Sequence, residues 1–169
     1  MATVGHFRDL PVERMGVDES THKPEYVTSP DKVAVEKKLR EAARSTSQVI
    51  LATDPDREGE AIAAHIANCL GAKYNSIMHR ITYTEVNKKS IQAALARKRP
   101  IDWALVRAQE ARRVIDRYVG YMISPVLTDK FRSVGQVAYL SAGRVQTVAL
   151  KLIVERHHAI ANFKPVEHY

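Results

Sequence analysis

The apolar positions of this chain keep a short, mixed rhythm up to about residue 87 and a helical rhythm after it. Val35, Leu39, Ala42 and Ala43 recur at three- and four-residue spacing, one face of a helix. Ser29-Pro30 ahead of them supplies an N-cap and a first-turn proline. Ser45-Thr46-Ser47 closes that helix, and the apolar run over residues 48–53 predicts a buried strand. A helical pattern returns from about Arg57 to Leu70 and stops at Gly71. Ile77-Met78-His79-Arg80-Ile81-Thr82-Tyr83 predicts another strand. This β–loop–α–β order implies parallel strands, with the connecting loop at their carboxyl ends. Residues 1–28, punctuated by Gly5, Pro11, Gly16 and Pro24, predict a strand remnant and loops.

Beyond Asn87 only helices are predicted. Asn87 caps one carrying Ile91, Ala94 and Leu95, ended by Arg97-Lys98-Arg99-Pro100. Asp102 caps a long one with Ala104, Ala108, Ala111, Ile115, Tyr118, Val119 and Met122 on one face. Ser124-Pro125 opens a short helix, and Ser141 opens another with Val145, Val148, Ala149, Leu152 and Ile153 turned inward. The predicted class is α/β, a partial Rossmann-like parallel sheet over residues 1–90, followed by an all-α part over residues 91–169. No internal repeat or low-complexity segment interrupts it.

Charge sharpens this division. The chain of 169 residues has a net charge of +7 and 45% hydrophobic residues, enough for a folded core. Residues 1–75 hold 10 Lys/Arg against 12 Asp/Glu; residues 76–169 hold 16 against 7. A near-neutral half beside a strongly basic one suits a polyanion gripped by one part and worked on by the other. Basic helices that are merely solvated faces would show the same excess. The single Cys69 forms no internal disulfide, which points to a reducing, cytoplasmic setting. No membrane-spanning run or signal peptide is visible.

The sharpest chemistry follows the first strand. Asp54-Pro55-Asp56-Arg57-Glu58-Gly59-Glu60 places four carboxylates in seven residues. Like charges this close repel, and each resists desolvation. A divalent cation relieves both problems, and Mg2+ takes hard oxygen ligands while keeping waters or phosphate oxygens elsewhere. Asp54 and Asp56, two apart, point the same way on an extended backbone. An EF-hand is the first rival: Asp54, Asp56, Glu58 and Gly59 fit loop positions one, three, five and six. Position twelve is His65 rather than Glu, and a strand-like run replaces the entering helix. Acids opposing the dipole of a first helical turn are the second rival, which accounts for one or two of them.

In the basic half, Gln109, Arg113, Asp116 and Gly120 share a helix face, and Arg112 and Arg113 stand within reach of Asp116 for an intrahelical pair. A salt-bridged surface explains this equally well. Ser141-Ala142-Gly143-Arg144-Val145-Gln146 puts small residues at a helix N-terminus, an end that binds phosphate, beside an Arg able to clamp it. An ordinary Ser cap with a solvated Arg is the plainer account.

Taken in order, these motifs resemble the type IA DNA topoisomerases. The matching stretches are Thr3-Val4-Gly5-His6-Phe7-Arg8-Asp9-Leu10, Leu51 to Ile62, and Arg80-Ile81-Thr82-Tyr83-Thr84-Glu85. They continue through Ile101-Asp102, Ala108 to Arg117, Gly120-Tyr121 and Leu140 to Val148. The acidic motif alone would point only to the broader Toprim superfamily; the ordered set covers most of the chain.

The resemblance implies a partial Toprim domain joined to a helical domain that holds single-stranded DNA. Asp54, Asp56 and Glu58 match the family's catalytic acidic Mg2+ site. Arg112, Arg113, Asp116 and Tyr121 match the helix lining its strand groove, as does the segment of Ser141, Ala142, Gly143, Arg144, Val145 and Gln146. His6 matches a motif that lies near DNA. Thr128 belongs to the same set of strand contacts, standing where the family often has Trp, which weakens base stacking there. In such enzymes a Tyr attacks a DNA phosphate and keeps the 5′ end, a strand passes, and the break is resealed. The family's first-strand Glu and nucleophilic Tyr have no counterpart in these residues, and Tyr169 matches a non-catalytic aromatic. The expected partners are therefore single-stranded DNA and the remaining domains of a parent enzyme, with the segment inactive alone. A stand-alone nucleic-acid binding module is the alternative; another Toprim enzyme, a primase or nuclease, fits the helical half less well.

Overall fold

A computed structural model describes residues 1–132, 134–135 and 139–166. Tyr169 lies outside the described residues. The chain divides into two compact units, Met1–Val114 and Ile115–Tyr169.

In the first unit, Arg8–Asp9 (β1) pairs antiparallel with Val27–Thr28 (β2). A 3-10 turn over Pro30–Lys32 leads into Val33–Arg44 (α1). Ser29 precedes that turn, but its side chain makes no cap bond. Val49–Leu51 (β3) and Met78–Arg80 (β4) run parallel, with Leu51 beside Arg80. Between them lies Arg57–Leu70 (α2), so the α/β expectation holds with its loop at the strands' carboxyl ends. Gly71, at φ 90°, ends α2 in a conformation that a Cβ would strain. The core joins Phe7, Ala43, Leu51, Ala63, Ile66 and Leu70 between sheet and helices. Asn87 caps Lys88–Ala96 (α3) by accepting from the Ser90 amide at 2.8 Å. Arg99 and Arg80 exchange backbone bonds at 2.9 Å, adding a bridge to the edge of β4.

Asp102 caps Trp103–Tyr118 (α4), its Oδ1 accepting from Ala104 N at 2.9 Å and Leu105 N at 3.2 Å. The face of α4 differs from the expected one. Val106, Gln109, Val114 and Arg117 are buried, whereas Ala104, Ala108, Ala111, Ile115 and Met122 are exposed. Alanines remove little apolar area from water, so an alanine stripe steers a helix weakly.

In the second unit, Ser124-Pro125 does not open a separate helix. The backbone runs from α4 through a wide π-helical turn, Val119–Ile123, directly into Ser124–Arg132 (α5). The wide turn sits just ahead of Pro125, whose ring and missing N–H strain a regular α-helix. The last helix is Arg144–Ala161 (α6), capped by Gly143 rather than Ser141. It buries no residue, so Val145, Val148, Ala149, Leu152 and Ile153 are exposed rather than inward. Periodicity reports which face favours cover and says nothing of what provides it. Among the described residues no helix is long and apolar enough to cross a membrane.

Candidate functional site

The acidic stretch occupies the loop from β3 into α2 and is folded tightly onto that helix. Asp56 is the N-cap, and its Oδ1 accepts from Gly59 N at 2.7 Å. Thr53 Oγ1 donates to Gly59 O at 2.5 Å. A Cβ on Gly59 would lie 2.2 Å from Asp54 O, so only glycine admits this approach. Buried Arg80 gathers the loop carbonyls, donating to Thr53 O at 2.7 Å and Asp54 O at 2.6 Å. The fastened backbone leaves the Asp54 and Asp56 carboxylates exposed.

Glu58 turns to a different neighbourhood. Its Oε2 lies 3.2 Å from His6 Nε2 and accepts from Gln109 Nε2 at 3.0 Å. One turn along α4, Arg113 forks onto Asp9 at 2.8 and 2.7 Å. A cavity of about 240 Å3 opens among these groups, also lined by Arg8, Tyr26 and His65. Tyr26 Oη, His65 Nδ1 and Gln109 Oε1 are buried there without a hydrogen-bond partner. Burial, with His6 and Arg8 nearby, pushes the His65 imidazole down to about 4. Burial, reinforced by Glu110 and Asp9, raises the Tyr26 phenol.

The second unit assembles its own polar cluster. Arg144 Nε donates to Asp116 Oδ1 at 2.6 Å, and the Arg117 guanidinium lies 4.8 Å from the Tyr121 ring centre. Thr128 is buried, and its hydroxyl donates to Ser124 O at 2.9 Å and accepts from Leu140 N at 3.0 Å. Ser124 Oγ in turn accepts from Ala142 N at 2.9 Å, and Gln146 Nε2 donates to Ser141 Oγ at 3.2 Å. Val145 is open to solvent and Arg112 half-buried.

Of the predicted site residues, His6, Glu58 and Arg113 gather around one cavity, joined by Gln109 from the same face as Arg113 and by Asp9, Tyr26 and His65, which had no expected role. Asp116, Arg144 and Ser141–Gln146 gather around the start of α6. Gln109 stood one turn before Arg113 in the sequence, a signal for a shared face. Nothing local marked Tyr26.

Among the described residues, no three His, Cys, Asp or Glu side chains are grouped to hold a metal ion. The donor chemistry of the loop nevertheless fits Mg2+. It offers only hard carboxylate oxygens, and Mg2+ is often held by one or two of them with waters and phosphates completing the shell. Asp54 and the second oxygen of Asp56 suit that arrangement, while Glu58 is engaged by His6 and Gln109.

Comparison with known proteins bears on the family of the chain. The Toprim domain family matches residues 1–88, and the DNA topoisomerase family matches residues 100–169. The solved structure of full-length topoisomerase I from Thermotoga maritima, in a monoclinic crystal form, is similar to this chain. Its TM-score is 0.82 and its identity 41%, over 98% of this chain and 27% of that one. The chain thus spans about a quarter of the length of that relative.

Proposed function

We propose a role for this chain from the premise that it belongs to the type IA DNA topoisomerases: it supplies the acidic loop and the strand-holding helices of an enzyme that cuts and reseals one DNA strand. Asp54 and Asp56 present carboxylates for Mg2+, and Glu58, two residues on and held by His6 and Gln109, is the third acid of the proposed site. Bound there, Mg2+ would align DNA phosphates and offset charge developing on them. For binding a single strand, the first unit contributes His6, Arg112 and Arg113, and the second contributes Asp116, Tyr121, Thr128 and Ser141–Gln146. Tyr121 is assigned to strand contact rather than to the 5′-phosphotyrosyl link, and the nucleophile is assigned to other domains of the parent. The observation that carries this proposal is the 41% identity over 98% of the chain.

Two measurements test it. The purified 169-residue chain should leave supercoiled DNA unrelaxed in Mg2+; relaxation would overturn the assignment of the nucleophile to other domains. Fluorescence anisotropy with a short labelled single strand, over a salt series, should show binding that weakens as salt rises. Duplex should bind less well, because the groove is expected to fit one unstacked strand. Arg113→Ala with Arg144→Ala should weaken binding and flatten the salt slope by roughly 0.7 per lost phosphate contact. Lys37, exposed on α1, is the control. If Lys37→Ala weakens binding as much as the double change, the attraction is diffuse charge and the groove assignment fails.

A further inference from the structure

Glu60 is the fourth carboxylate of the acidic stretch and differs from the other three in being fully buried. A buried carboxylate persists only when paired and hydrogen-bonded. Arg80 Nε donates to its Oε2 at 2.8 Å, and Arg99 reaches both oxygens, at 2.9 and 3.1 Å. The backbone N–H of Asp102 donates to Oε1 at 2.7 Å. Arg80, also fully buried, spends the rest of its fork on carbonyls: Leu51 at 3.2 Å, Thr53, Asp54 and Ile81. A guanidinium spans four carbonyls and a carboxylate because its five donors are fixed in one plane; an ammonium on the same stem is a point charge.

Resting on the assignment of Asp54, Asp56 and Glu58 above, we propose that Arg80 and Glu60 are positioning residues that fix the acidic loop and tie its geometry to the first turn of α4. The connection is short and unbroken. It runs from Asp54 O through Arg80 to Glu60 and on to Asp102 N, and Asp102 caps the helix that carries Arg112 and Arg113. Each link is charge-assisted, and the Arg80–Glu60 pair at the centre is shielded from water, so displacing either end strains a bond that solvent does not replace. Loop and strand-holding helix therefore shift together or not at all.

Amide hydrogen exchange on the whole chain, with far-UV circular dichroism as the folding check, tests this. Arg80→Lys keeps the charge beside Glu60 but loses the fork. Exchange over residues 52–60 should accelerate roughly tenfold or more while α1 keeps its wild-type rates. Glu60→Gln should accelerate both residues 52–60 and residues 102–106. Unchanged rates at 52–60 in Arg80→Lys, uniform acceleration of the whole chain, or an effect of Glu60→Gln on the loop alone would each overturn the proposal. Should both buried changes prevent folding, Arg99→Gln, at a half-exposed partner of Glu60, decides. It should accelerate residues 102–106, and unchanged rates there would break the link to α4. Calorimetry with Mg2+ separates this device from the metal assignment it rests on. Folded Arg80→Lys should bind Mg2+ severalfold more weakly than wild type, and equal affinity would remove the positioning role. A wild type that gives no Mg2+ heat overturns the metal assignment and leaves the exchange result standing.

Discussion

Arg80 and Arg144 each hold a carboxylate, Glu60 at 2.8 Å and Asp116 at 2.6 Å, but in opposite surroundings. The first pair is sealed inside the unit Met1–Val114; the second stands partly open in the unit Ile115–Tyr169. The apolar residues divide in the same way. The first unit packs Phe7, Leu51 and Ile66 into a core, while α6 leaves Leu152 and Ile153 uncovered. One unit is built to hold a loop still; the other presents its side chains outward. Buried polar groups of the first are expected to govern stability, and the open pair of the second to matter for binding alone.

The largest effect should come from Arg80→Ala, which strands Glu60 without its main partner. Breaking a buried pair typically costs about 3–5 kcal/mol. Urea unfolding measures it, and a loss no greater than that of Arg144→Ala would erase the contrast between the units. Acid comes next. An unfolded His titrates near 6.5, whereas His65 in the fold is held at about 4 by burial and by nearby His6 and Arg8. The unfolded chain therefore binds a proton that the folded one refuses. Stability is full above pH 6.5 and falls as pH drops towards 4, by about 3 kcal/mol in all. His65→Phe should flatten that part of the pH–stability curve, and an unchanged slope would locate acid sensitivity elsewhere. Gly59→Ala should cost about 1–3 kcal/mol, because the new methyl meets the Asp54 backbone and one or the other must move. The smallest effect belongs to Arg144→Ala. It should leave the urea midpoint unchanged while weakening single-strand binding, since a solvated pair contributes little to folding.

Local signals in the sequence located the acidic loop and the elements around it. A strand-like run, the return of helical spacing near Arg57 and a terminal glycine bound α2 without help from distant residues, and Asn87 and Asp102 cap their helices as their positions predict. What the sequence hid was direction. Glu60 is two residues from Glu58 and indistinguishable from it in composition, yet one faces Arg80 in the core and the other faces His6 and Gln109. Only the partners, 20 and 51 residues away, decide which carboxylate turns inward. The same holds for α4. Gln109 and Arg113 are drawn in by Glu58 and Asp9, a preference for polar partners that hydrophobic periodicity does not register.

Asp56 has two oxygens and one of them is already committed. Its Oδ1 caps α2 by accepting from Gly59 N, so an ion bound through Oδ2 alone would leave that cap undisturbed. Mg2+ is small, keeps most of its water and is satisfied by one oxygen from each carboxylate, so it leaves the cap in place. Ca2+ is larger and readily takes a carboxylate by both oxygens. Held that way by Asp56, it would compete with Gly59 N for Oδ1 and weaken the cap on the turn that Gly59 keeps pressed against Asp54. In the proposed site, the first turn of α2 would therefore favour an ion that takes one carboxylate oxygen over one that takes two.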